Sequence, residues 1–223
     1  MSAYVRVGPR PRMRFGGVEV TQILIAVAAM TAAFALSALD GVYGIEDNLR
    51  LGGPIWVALV LLASFVAVVT AFLLHELAHK AVAQRFGCFA EFRYFPMGLA
   101  LGVLTGAFGY LFAMPGAVMI SGQVGPRENV RISAAGPGTN MALGAGFLGL
   151  ALALGGAANP LANIASFFIG FIAQVNLFLA GFNLLPFPPL DGSKVFAFNR
   201  VLWVGMIAGT VALYALGWWL RGF

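Results

Sequence analysis

Residues 54–74, PIWVALVLLASFVAVVTAFLL, contain no charged side chain and run straight into His75. As a helix, such a stretch is long enough to cross the roughly 30 Å hydrocarbon core of a bilayer. In lipid every backbone polar group must be satisfied internally, which restricts what can span to helices and closed barrels. The spanning candidate that this stretch opens runs to about 86; further apolar runs lie at about 18–39, 132–155, 161–185 and 195–217, and a glycine-interrupted one lies at 97–121. Only 9% of the residues are charged, against about 25% in a soluble domain. The sequence therefore predicts an all-α integral membrane protein, a polytopic bundle of about five to six transmembrane helices with a re-entrant segment. Residues 1–223 read as a single membrane domain with short loops.

The net charge of +5 does not point to nucleic acid, because the basic residues sit in short flanks between apolar runs. Such flanks orient a membrane protein with its positive loops in the cytoplasm. Arg6, Arg10, Arg12 and Arg14 put the N-terminus inside, Asp40, Glu46 and Asp47 form an outside loop, and Lys80, Arg85 and Arg93 follow the second helix back inside. Lys80 and Arg85 are expected to snorkel to the headgroups. The run at 18–39 is longer than a signal-peptide core and lacks a small-x-small cleavage site, so it reads as a retained helix. Cys88 is the one cysteine, which leaves neither a disulfide nor a cysteine-type metal site.

The stretch Gly98–Gly122 is a poor straight helix, with repeated glycines and Pro115 near its end. A single crossing would put Arg127 and Arg131 outside, against the charge rule; a stretch that enters and returns keeps them inside. A re-entrant hairpin at about 97–122 is the expectation.

Both histidines of the chain lie in HELAH, where His75 and His79 are four apart with Glu76 between them. On a helix that spacing puts two imidazoles on one face to share a metal, with the glutamate beside the open coordination position. The competing reading pairs Glu76 with Lys80 one turn on, as an interfacial ion pair. A hydrolytic zinc site usually has three protein ligands and a water. With no third histidine, the remaining ligand is a carboxylate. Asp40, Glu46 and Asp47 sit on the opposite side, Glu19 starts the first helix, and Glu91 and Glu128 lie in charged flanks. Asp191 remains, ending FNLLPFPPLDG, where Pro186, Pro188 and Pro189 break a helix. Irregular backbone at membrane depth is tolerated where it is buried in protein or lines a cavity. Charge parity returns Asp191 to the side of the two histidines.

HELAH, AAGPGTN at Ala134–Asn140 and NLLPFPPLDG, in this order among membrane helices, resemble the site-2 protease family of intramembrane zinc metalloproteases, in a compact prokaryotic form. The resemblance covers about residues 54–194. It implies that His75, His79 and Asp191 bind one Zn2+, that Glu76 is the catalytic carboxylate, and that Asn140 helps hold the substrate backbone. It also implies that Gly136 and Pro137 shape a helix start. The partners expected are transmembrane protein substrates and the lipid bilayer.

The other polar residues in the apolar runs carry less. Asn183, beside the proline break, is a candidate substrate contact, whereas Gln174 and Asn176 read as interhelical hydrogen bonds. Gly138, Ala142 and Gly146 form a small-residue stripe expected to bring the third helix against the second. Trp203, Trp218 and Trp219 read as lipid-facing or interfacial anchors. Two rivals to a protease are a catalytically inactive zinc-binding scaffold or escort, and a metal transporter. An intact Glu76 argues against the first, and ionisable groups concentrated at one level argue against the second.

Overall fold

The structure, a computed structural model, describes residues 13–156 and 158–221; Arg6, Arg10 and Arg12 lie outside them. Within these residues eight α-helices and a two-stranded ribbon form a polytopic bundle. Five helices, Gly17–Ala38, Gly52–Arg85, Pro126–Leu154, Pro160–Asn183 and Arg200–Trp219, are long and apolar enough to cross a membrane. Among the described residues this gives five candidate spans, the lower of the two counts the sequence allowed.

Helix α1 (Gly17–Ala38) begins where Glu19 accepts the Gly16 N–H. Helix α2 (Gly41–Ala67) follows at once, so Glu46 and Asp47 are helical and not in an open loop. It kinks at Gly53, whose φ of 70° suits glycine alone, and the next residue, Pro54, has no N–H to continue the ladder. Asn48 holds the kink from both sides, donating to the carbonyls of Leu39 and Gly44 and accepting the Trp56 indole N–H at 3.1 Å. The helix then passes through a π-helical segment, Val68–Leu73, into α3 (Leu74–Arg85).

Strand β1 (Phe89–Tyr94) pairs antiparallel with β2 (Gly116–Ser121), Phe92 opposite Val118. Between them lies α4 (Pro96–Ala107), about 18 Å long at helical rise and too short to span. After it the chain turns back along the helix. Thr105 Oγ1 accepts the Phe112 N–H at 3.1 Å, and Phe95 N–H donates to Pro115 at 3.0 Å. The re-entrant expectation thus holds in form, but its entering arm is helical and its strand pairs with residues 89–94, which the sequence presents as a charged flank.

The buried core on this side joins Ala26, Val27 and Met30 of α1, Val68 and Phe72 of the π segment, Phe92 and Leu99. Phe72 meets Phe92 edge to face at 5.7 Å between centroids, a geometry worth roughly 0.5–1.5 kcal/mol beyond burial.

Helix α5 (Pro126–Leu154) starts at Gly125, whose N–H is capped by Glu128 at 2.6 Å. A short turn leads back into α6 (Pro160–Asn183), where Asn159 caps the Leu161 N–H. Gly136 and Pro137 therefore lie well inside α5 and not at its start. The stripe that faces the protein is also displaced by two residues from the expected one. Gly136, Asn140, Gly144 and Leu148 are buried, while Ala142 and Gly146 are exposed. After α6 the prolines break the chain, with a cis peptide between Pro188 and Pro189. Helices α7 (Asp191–Phe198) and α8 (Arg200–Arg221) follow. Trp203, expected among the lipid-facing anchors, instead donates its indole N–H to the Leu184 carbonyl at 2.6 Å and ties α8 to the break; Trp218 and Trp219 are exposed.

Candidate metal centre

The residues of the centre arrive on separate elements. His75 and His79 stand one turn apart on α3, and Asp191 opens α7 directly after the proline break. His79 Nε2 lies 2.9 Å and His75 Nε2 3.3 Å from Asp191 Oδ2, and the two Nε2 atoms are 3.0 Å apart. Both histidines are buried and Asp191 nearly so.

The donor chemistry fits a cation. His79 Nδ1 sits 2.7 Å from the Ile132 carbonyl oxygen. A carbonyl can only accept, so Nδ1 carries the proton and Nε2 is the nitrogen turned toward Asp191 and His75, placed to lend its lone pair to a cation. Electron-rich atoms held this close repel one another unless a positive charge lies among them. Two imidazoles and a carboxylate make a donor set suited to zinc. His75 Nδ1 is buried and, among the described residues, has no hydrogen-bond partner.

Helix α5 closes the centre from the side. A Cβ at position 136 would lie 2.4 Å from His79 Nε2 and 2.5 Å from His75 Nε2, so only glycine lets this backbone pass. The close approach of the third span to the second comes through Gly136; Gly138 points toward Met206 of α8, and Gly146 meets nothing within 4 Å.

Glu76 does not pair with Lys80. Its Oε2 accepts the Val118 N–H of β2 at 2.8 Å, which places the carboxylate between the centre and the ribbon. Lys80 does not snorkel either; it is fully buried and paired with Glu19 of α1.

Asn140 is fully buried, and its Nδ2 donates to the Ala71 carbonyl at 3.1 Å. In this conformation it offers no surface to a substrate and braces the π segment that leads into His75. Asn176 does the same from α6, donating to Thr70 Oγ1 at 3.0 Å. Asn183 is half-buried in the last turn of α6 and donates to its own helix at Leu179. Single-turn π segments recur at functional sites. Sequence reasoning missed this one, although Thr70, a hydroxyl inside the apolar run, was a signal.

No protein-family model and no solved structure matches the chain. A curated protein of the archaeon Methanocaldococcus jannaschii does: it is 36% identical over 227 aligned residues, covering 92% of this chain and 98% of the relative. Its provisional name is zinc metalloprotease.

Proposed function

Because the chain belongs to the zinc metalloprotease family of its archaeal relative, we propose that it is an intramembrane endopeptidase of the site-2 protease type, hydrolysing peptide bonds in or near transmembrane segments of other membrane proteins. The observation that carries this reading is the meeting of His75 and His79, at the end of one spanning helix, with Asp191 at the break between two others. A centre built there is reached by a substrate that is itself in the membrane. The reading further puts the N-terminus and the centre toward the cytoplasm.

Zinc held by His75, His79 and Asp191 would polarise the scissile carbonyl and make a bound water acidic near neutral pH. Glu76 is the base: a carboxylate oxygen takes the water's proton and later gives it to the leaving amine. A peptide bond inside a helix is shielded, so the substrate must unwind before it can be cut. An unwound segment satisfies its backbone by adding as a strand to the outer edge of β2. Phe92 and Val118 both send their N–H groups away from the ladder, so that edge carries the N–H groups of Gly116, Val118 and Ile120. A strand that takes the Val118 N–H frees Glu76 Oε2, which couples substrate docking to release of the base. Asn183, beside the proline break, is the remaining candidate contact to the substrate backbone.

The test is metal analysis together with cleavage of a model transmembrane substrate by wild type and Glu76→Gln. Zinc retained at one ion per chain, with cleavage lowered by at least about a thousandfold in the variant, is the expected result. A wild type that holds zinc yet cuts none of a diverse substrate panel would favour the zinc-binding escort instead.

A further inference from the structure

Glu19 and Lys80 are each 0% exposed, and Lys80 Nζ donates to both oxygens of the Glu19 carboxylate. The ring of Phe15 covers Nζ at 4.3 Å from its centroid. Neither residue belongs to the metal group, yet Lys80 is the next residue after His79. Glu19 also reaches the ribbon, where its Oε1 accepts the Phe92 N–H of β1 at 2.9 Å.

Phe92 stands directly opposite Val118 in the ribbon, and Val118 gives its N–H to Glu76. At this one register position the ribbon is therefore held between two carboxylates, Glu19 on its inner edge and Glu76 on its outer edge. The inner edge is closed further by Gln22, which accepts the Tyr94 N–H at 3.2 Å, and by Gln84, which donates to the Ala90 carbonyl at 3.3 Å.

A buried ion pair is a poor device for stability alone, since taking two charges out of solvent is costly and an apolar pair of like volume often serves as well. An apolar pair cannot accept the Phe92 N–H. We infer that Glu19 and Lys80 are positioning residues for the peptidase reaction. Lys80, fixed to the metal helix beside a ligand, aims the Glu19 carboxylate. Glu19 then sets the height of the ribbon, so that the free edge of β2 meets Glu76 and the centre. Helix α1, which supplies no metal ligand, thereby determines where a substrate strand lies relative to the base.

The activity readout rests on the metalloprotease reading; the exchange readout does not, so a wild type inactive on all substrates would sink that reading and leave this one still tested. Two full-length double variants separate acceptor from charge. Glu19→Leu with Lys80→Met removes both charges and the acceptor, whereas Glu19→Gln with Lys80→Met removes the charges and keeps an acceptor for Phe92. The first is expected to bind zinc stoichiometrically, to lose hydrogen-exchange protection across residues 89–94 by at least about tenfold, and to lose at least about tenfold in kcat. The second is expected to recover both to within about threefold of wild type. Equal activity of the two variants, or lost activity with the ribbon protected as in wild type, overturns the proposal. If the first variant fails to accumulate, exchange in the wild-type protein decides: the proposal requires the Phe92 amide to exchange as slowly as those of the metal helix 74–85, and faster exchange rejects it.

Discussion

At position 136 a methyl group would intrude within 2.5 Å of the Nε2 atoms of both His75 and His79. Carbon and nitrogen cannot approach that closely, so Gly136→Ala must either push α5 away from α3 or turn the imidazoles off their common point. The second outcome is the cheaper, because α5 is held to its neighbours along the whole Gly136, Asn140, Gly144 and Leu148 face; Gly144 meets Leu177 of α6 in the same way that Gly136 meets the histidines. Gly136→Ala is therefore expected to weaken zinc binding by at least about tenfold while the protein stays folded, read as zinc retained across a series of chelator buffers. Unchanged affinity would mean that α5 can yield. The grouping of His75, His79 and Asp191 is legible in the sequence because metal chemistry admits few residue types and the chain has few acids. Gly136 stands out in the AAGPGTN motif but reads there as part of a helix start, because the apolar run begins only at about 132 and the start signals at Pro126 and Glu128 lie in a charged flank ahead of it. Lys80 is illegible for a different reason. Its partner Glu19 is 61 residues away, and no local pattern announces a long-range buried pair.

The ribbon offers a test that depends only on which way alternate N–H groups point. Val118 and Phe92 direct theirs outward, so in the antiparallel ladder Ala117 and Met119 bond to β1, whereas Ile120 faces the free edge. Proline removes an N–H and is tolerated at edge positions. Ile120→Pro is accordingly expected to keep zinc and thermal stability near wild type while kcat/KM on a transmembrane substrate falls by about tenfold or more. Met119→Pro breaks the ladder and is expected to lower thermal stability where Ile120→Pro does not. Full activity in Ile120→Pro would remove this edge as the substrate platform. At this scale the strand is hidden by its charges: from Ala90 to Tyr94 small or aromatic residues alternate with Glu91 and Arg93, and Ala90 and Phe92 are the buried pair. The inward face of α5 is less accessible to inspection. In lipid an apolar outer surface produces no amphipathic contrast, and small residues occur on both the 136–140–144 and the 138–142–146 faces, so periodicity alone cannot choose between them.

Across the whole molecule, the number of crossings governs where everything else must lie. If each of the five candidate spans crosses once and the segment between the second and third enters and returns, the two ends of the described chain lie on opposite faces. The same crossings also put the end of α3 and the start of α7 on the same face, which the contact of His75 and His79 with Asp191 requires. A sixth crossing at 97–121 would break that parity, carrying α5 in from the wrong side and leaving Asp191 a membrane thickness away from the histidines. The hydrogen bonds that fold residues 108–115 back along α4 are what prevent it. Hydropathy alone cannot separate these cases, since the stretch is apolar and long enough; the deciding information lies in Thr105, Gly98 and Pro115, whose backbone contacts no window average reports. On the proposed orientation, which puts the N-terminus in the cytoplasm, alkaline phosphatase fused after residue 223 or inserted at the α5–α6 turn is expected to be active, and the same enzyme inserted between β2 and α5 inactive. A fluorescent protein at those three positions should give the reverse pattern. Loss of phosphatase activity at residue 223 with gain of it between β2 and α5 would show a sixth crossing. The assembly of the metal centre from α3 and α7 would then have to be abandoned with it, since no other arrangement of these spans brings Asp191 to His79.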